Sequence, residues 1–206
     1  MWIVKLGGSL AQNPALKDWL EVLARDGAGR VVVVPGGGPL ADTVRGLHRH
    51  WNLPDPVAHR MALLAMEQYG LLLAGLQPRL RAARTAAEIA EILAQGAAAV
   101  WLPFAMTTGP EAQDIKESWN MTSDSLTAWF AAQIKARRLV FVKSLEPAAE
   151  PVGVDELART GLVDPLFPVY ARRSGCEVWW SGSRQHGRMA QALGGLAEPG
   201  TRVLVR

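Results

Sequence analysis

Two lysines stand in apolar strands of this chain, and their placement is the first sign of chemistry. Lys5 interrupts the run Ile3-Val4-Lys5-Leu6, and Lys143 closes Leu139-Val140-Phe141-Val142. A lysine in a buried strand is costly to desolvate unless it meets an anion. A phosphate supplies one; the alternative is a side chain that snorkels to the surface. Directly behind Lys5 come Gly7, Gly8 and Ser9, and a second cluster, Gly36, Gly37 and Gly38, follows Val31-Val32-Val33-Val34-Pro35. Without a Cβ, backbone N–H groups approach phosphate oxygens closely, and a following helix adds the positive end of its dipole. Two such loops could face each other across one crevice, one cradling donor phosphates and the other the acceptor. Glycines at these places serve equally well as tight strand-to-helix turns. Neither cluster has the Walker A spacing or the dinucleotide fingerprint.

Asp124 lies in Asn120-Met121-Thr122-Ser123-Asp124-Ser125, where Thr122 or Ser123 is expected to cap a helix with apolar positions Leu126, Trp129, Phe130 and Ile134. A carboxylate in a first helical turn is favourable on dipole grounds alone. The chemical alternative is that Asp124 sits between Lys5 and Lys143 and holds both. His59 and Arg60 open a long helical stretch, where a helix N-terminus and a cation could bind an acceptor's phosphate; both residue types are as often found on surfaces. Trp119 could stack on a flat ring or belong to the core. His48, His50 and His186 have no metal-ligand spacing with Cys or carboxylates, and no metal site is expected.

These residues need elements to position them. Short β-branched or aromatic runs at 3–6, 31–34, 98–102, 139–142, 177–180 and 202–205 read as strands. Helical periodicity fills the stretches between. One helix follows Asn13 as N-cap with Pro14 at its first position. Others cover 56–76, 85–95 (Thr85 capping, Glu88 closing a capping box), 123–136 and 184–193, with a turn of helix at 155–160. This alternation predicts an α/β fold, a three-layer αβα sandwich around a mainly parallel sheet. The loop at 147–153 divides one domain, 1–206, into an acceptor-side lobe, 1–145, and a reduced nucleotide-side lobe, 146–206.

Composition agrees with an ordinary soluble globular protein: 206 residues, half of them apolar, a fifth charged, and a net charge of +3. No Lys/Arg run exceeds a pair, and no basic–aromatic interleaving is present, so no nucleic acid partner is expected. No apolar stretch is long enough for a membrane span, and the N-terminus reads straight into a strand without a signal peptide. Cys176 stands alone and suits a reducing compartment, so a cytoplasmic location is expected.

The sequence Val4-Lys5-Leu6-Gly7-Gly8-Ser9, then Val34-Pro35-Gly36-Gly37-Gly38, then Asn120-x-x-x-Asp124, resembles the amino acid kinase superfamily. The stretch through Ala58, His59, Ala62, Ala65, Met66, Tyr69 and Gly70 is similar to the branch that converts [5-(aminomethyl)furan-3-yl]methyl phosphate to its diphosphate in methanofuran biosynthesis. The resemblance implies an ATP-dependent kinase, with Mg²⁺ carried by the nucleotide, forming a homodimer or higher homo-oligomer. It implies that Lys5 stabilises the phosphoryl group in flight, and that Gly7, Gly8, Ser9, Lys143 and Ser144 hold ATP, with Asp164 near the nucleotide. Gly36, Gly37, Gly38 and Asn120 would serve the acceptor, and Asp124 would orient the lysines. One departure stands out: the family usually has Thr-Asp after the strand that ends at Lys143, and this chain has Ser144-Leu145-Glu146. An acyl-phosphate-forming amino acid kinase and a non-catalytic nucleotide or oxyanion binder are the alternatives.

Overall fold

The computed structural model describes residues 1–206. Eight strands make one sheet: β1 (Trp2–Leu6), β2 (Val31–Pro35), β3 (Leu80–Ala83), β4 (Ala98–Trp101), β5 (Arg138–Lys143), β6 (Val152–Gly153), β7 (Glu177–Gly182) and β8 (Thr201–Leu204). Their order is β3-β4-β2-β1-β5-β7-β8-β6, and every pair is parallel except β7 with β8. β2, with its four valines, and β1 lie in the interior of the sheet, where both faces are covered and continuous apolar character is required. The sheet is therefore mainly parallel. It passes without interruption from residues before 146 to residues after it through the β5–β7 pair.

Nine helices flank the sheet: α1 (Ala15–Arg25), α2 (Gly38–Trp51), α3 (Asp55–Leu76), α4 (Ala86–Ala94), α5 (Phe104–Thr107), α6 (Ser123–Gln133), α7 (Val154–Arg159), α8 (Phe167–Ser174) and α9 (His186–Leu193). The period-2 alternation of strand side chains assigns them to two cores. Ile3, Val32, Val34, Leu139 and Phe141 face α6 and α8, whereas Val4, Leu6, Val31, Val33 and Val140 face α1 and α9. The three-layer sandwich follows from that alternation.

Local signals explain most boundaries. Asn13 accepts the Ala15 N–H at 2.9 Å, so it caps α1 with Pro14 in the first turn. Thr85 caps α4 by accepting the Glu88 N–H at 3.2 Å. Glu88 reaches back one residue further than a capping box requires, to the Arg84 N–H at 2.6 Å. At α6 the expectation fails: Thr122 occupies the N-cap position but makes no cap with its own side chain. Strands β3 and β6 have no counterpart in the sequence reading, and α2, which follows the second glycine loop, had no predicted boundaries. No helix is long and apolar enough to cross a membrane.

Candidate active site

Because β1, β2, β5 and β7 run parallel, their carboxyl ends share one edge of the sheet, the edge where ligands bind in folds of this class. Lys5 shares a strand face with Ile3, and Lys143 shares one with Leu139 and Phe141. Both lysines therefore point to the side on which α6 packs. The register sets Lys5 beside Phe141, two residues short of Lys143. Asp124, in the first turn of α6, meets both. Lys5 Nζ donates to Asp124 Oδ1 at 2.8 Å, and Lys143 Nζ donates to Oδ1 and Oδ2 at 3.0 and 2.9 Å. Lys5 is 3% exposed and Asp124 5%, so Lys5 does not snorkel out.

Burial alone would raise the Asp124 pKa, but Lys143 and Lys5 outweigh it and hold the carboxyl well below the usual range. Burial pushes Lys5 below the ordinary lysine value, and Lys143 acts in the same direction; Asp124 opposes both. The result is a cationic pair on a buried anionic clamp, with one positive charge in excess and aimed at a cavity.

That cavity, about 260 Å³, is lined by Lys5, Lys143 and Asp124 at one end. The two glycine loops form its floor, and they touch rather than face each other across a gap. A Cβ on Gly8 would lie 2.3 Å from Gly38 N, and one on Gly36 would lie 2.5 Å from Gly8 N. Gly38 needs glycine for its backbone, with φ +56°, whereas a Cβ there would meet nothing closer than 3.6 Å. Gly7 and Gly36 donate their N–H groups to the carbonyls of Val142 and Leu6, at 3.0 and 2.8 Å. The amides left for an anion are those at the starts of the 3-10 turn Gly8–Leu10 and of α2. Gly36→Ala should push the β1 and β2 loops apart, costing about 1–3 kcal/mol of stability and lowering kcat/KM; thermal unfolding and steady-state kinetics on one preparation check both.

Other expected residues are placed unevenly. His59 is buried in the cavity wall with Nε2 unpartnered, and burial lowers its pKa, leaving it neutral at pH 7. Arg60 points elsewhere, pairing with Glu117 at 3.1 Å. Asn120 is exposed and does not line the cavity. Ser144 donates from its hydroxyl to Ser9 Oγ at 2.6 Å, joining the β1 and β5 loops beside Lys143. Asp164 lies outside the cavity, bound to Thr122 and Ser125. Glu146, in the departure from the family pattern, accepts the Arg184 N–H at 2.9 Å and ties the β5 loop to the β7 loop.

Two charged cavity residues escaped the sequence reading. Asp42 and Arg45 project from α2, one and two turns past Gly38, and pair with each other at 2.7 Å. Helical spacing from the glycine loop was the available signal. Arg45 also lies 4.9 Å from the ring centroid of Trp119, whose Nε1 donates to His48 Nδ1 at 3.3 Å. Trp119 is thus half-buried and lines the cavity, where the sequence left core packing open. Ser123, expected from sequence only as a capping residue, also lines the cavity from the first turn of α6.

The sequence and the fold are similar to those of known proteins. The chain is 24% identical over 216 residues to [5-(aminomethyl)furan-3-yl]methyl phosphate kinase of Methanocaldococcus jannaschii, covering 99% of this chain and 98% of that one. The fold resembles the crystal structure of uridylate kinase from Archaeoglobus fulgidus, with TM-score 0.70 at 16% identity over 99% of this chain and 100% of the other. It also resembles UMP kinase from Ureaplasma parvum, with TM-score 0.72 at 12% identity over 98% and 97%. The model of the amino acid kinase family matches residues 1–146, which contain both glycine loops, both lysines and Asp124. With that match spanning most of its length, the chain belongs to the amino acid kinase family and is a kinase.

Proposed function

We propose that this kinase transfers the γ-phosphoryl group of ATP to the phosphate of a small monoester, with [5-(aminomethyl)furan-3-yl]methyl phosphate as the acceptor. The observation that carries the reading is the pair of strand-end lysines held on one buried carboxylate at 2.8–3.0 Å, at the end of a cavity floored by glycine-loop amides. Phosphoryl transfer passes through a loose transition state whose charge spreads over equatorial oxygens, so positioning and electrostatics do most of the work. Lys5 and Lys143 neutralise that charge in a site where water is scarce, and Asp124 keeps them converged.

The cavity holds few candidate bases. Asp124 is committed to the lysines and Asp42 to Arg45. A phosphate monoester needs no base, because its second pKa is about 6 and it is largely ionised at pH 7. An amino acid acceptor's carboxylate would need none either. The relative's phosphate acceptor and the cavity's contents favour the monoester: with its single proton on Nε2, neutral His59 would donate to an acceptor oxygen, and Trp119 offers a face to a flat ring.

ATP fits the other side of the lysines. The free amides at Gly8 and Ser9 and the hydroxyls of Ser9 and Ser144 are donors suited to its phosphates. Mg²⁺ would enter on the nucleotide, where it would offset phosphate charge. Glu146 and the β7 loop border this side.

The test is ATP consumption by purified protein with Mg²⁺, comparing the furan phosphate with other phosphate monoesters and with amino acids. Turnover is expected with the furan phosphate and with no amino acid, and its acid limb should follow the acceptor's second ionisation near pH 6. Turnover of an amino acid alone would replace the acceptor; tight ATP binding without any turnover would overturn catalysis.

A further inference from the structure

The helix that carries Asp124 is capped by a residue from the other end of the chain. Asp164, in the segment between α7 and α8, is 7% exposed. Its Oδ2 accepts the Thr122 N–H at 2.9 Å, the Thr122 hydroxyl at 2.9 Å and the Ser125 N–H at 3.0 Å, and its Oδ1 accepts the Ser125 hydroxyl. Two residues on, Leu166 donates its N–H to the Asn120 carbonyl at 3.2 Å. A threonine at an N-cap ordinarily accepts the N–H three residues ahead with its own oxygen. Here Thr122 gives that acceptor role away, and four donors from one helical turn converge on a single imported carboxylate.

The geometry has a consequence for the lysine clamp. Thr122 and Ser125 bracket Asp124 in sequence, so a carboxylate that grips both fixes the rotation of the turn between them. That rotation decides where the Asp124 side chain points. Asp124 in turn is the shared acceptor of Lys5 and Lys143. Asp164 also places a second negative charge in the same dry region as Lys5, favouring the ammonium form of that lysine. The groups facing Lys5 are Asp124 from α6, Lys143 from β5 and, beyond them, Asp164.

We propose that Asp164 is a positioning residue for phosphoryl transfer: from the C-terminal part of the chain it sets the direction of Asp124 and, through it, the placement of Lys5 and Lys143. This rests on the kinase reading above and revises the nucleotide contact that resemblance implied for Asp164. Its carboxylate is buried, lies outside the cavity and already accepts from four donors.

Asp164→Asn keeps the shape and one acceptor oxygen but removes the charge and turns an NH₂ toward donors. The expected result is a kcat about 10-fold or more lower, with KM for ATP and acceptor little changed, since the loss falls on transition-state contacts. The alkaline limb of the kcat profile should shift to lower pH, because Lys5 loses its proton more easily without the nearby anion. A structural role alone would not move that limb. Leu157→Ala, a truncation in the same core on α7, serves as the control: it should lower Tm while kcat and the limb stay put. A second readout needs no substrate. In protein labelled with ¹⁵N-lysine, the Lys5 ammonium, assigned by its absence in Lys5→Met, should titrate at lower pH in Asp164→Asn than in wild type. An unmoved Lys5 midpoint with unchanged kcat overturns the proposal, as does a kcat loss no larger than that of Leu157→Ala at equal Tm. A moved midpoint in a protein that phosphorylates nothing would instead overturn the kinase reading and leave the Asp164–Lys5 coupling standing.

Discussion

Lys5→Met should lower kcat by about 10³-fold or more while ATP and acceptor bind nearly as in wild type, as expected for loss of a charge that acts on the transferring group in the transition state. Methionine approximates the length of lysine without its charge, so the strand keeps its packing. The carboxylate left behind is not orphaned: Asp124 retains both bonds from Lys143, at 3.0 and 2.9 Å. What disappears is a cation that is 3% exposed, whose burial costs the fold as well as serving it. Thermal stability should therefore hold or rise, which separates loss of chemistry from loss of structure. Lys5→Arg should not rescue activity, because a planar fork does not replace a compact ammonium in a site shaped by β1, β5 and α6. Steady-state kinetics with calorimetry on the same samples decides the matter. A folded Lys5→Met protein with wild-type kcat would remove Lys5 from catalysis.

How far these residues could be read in sequence depended on whether their signal was local. Lys5 and Lys143 were legible because a charge inside a β-branched run is anomalous by itself, and strand alternation then put both on one face. Asp124 was legible as one of two alternatives; only packing of α6 on that face chose between them. The glycine loops were legible as loops. Which of their amides remain free was not, because that depends on the carbonyls of Val142 and Leu6 in neighbouring strands. Arg60 looked equivalent to His59, its neighbour in sequence, yet the helical turn sends one to Glu117 and the other into the cavity wall. β3, the run Leu80-Arg81-Ala82-Ala83, lacks β-branched residues and is a strand because β4 pairs with it; two-residue β6 exists only by pairing with β8. Asp164 entered only through the resemblance, as a residue near the nucleotide. Its partners lie some 40 residues away, and no local pattern points to them.

Asp124→Asn should be the more damaging change for the fold, because it leaves two cations where Lys5→Met leaves a satisfied pair. Both ammonium groups reach the same oxygen, at 2.8 and 3.0 Å, and Lys5 is only 3% exposed. Removing one partner of a buried ion pair costs about 3–5 kcal/mol, and the stranded charge is the reason. Activity should fall by at least as much as in Lys5→Met, since neither lysine is held in place. The double variant Lys5→Met/Asp124→Asn then regains much of the stability lost in Asp124→Asn, because only Lys143 remains and it is partly solvated, at 16% exposed. Its activity should stay as low as that of either single variant, the non-additivity expected of residues that work as a unit. The pH dependence has a definite sign. In Asp124→Asn the folded protein holds Lys5 with a pKa below its unfolded value of about 10.4, so the unfolded state binds more protons between the two values. Stability must therefore rise with pH across that window, a slope that Lys5→Met/Asp124→Asn should lack. Urea unfolding of the three variants at several pH values measures it. Equal stability of Asp124→Asn and Lys5→Met at neutral pH would mean that Asp124 does not clamp the two lysines.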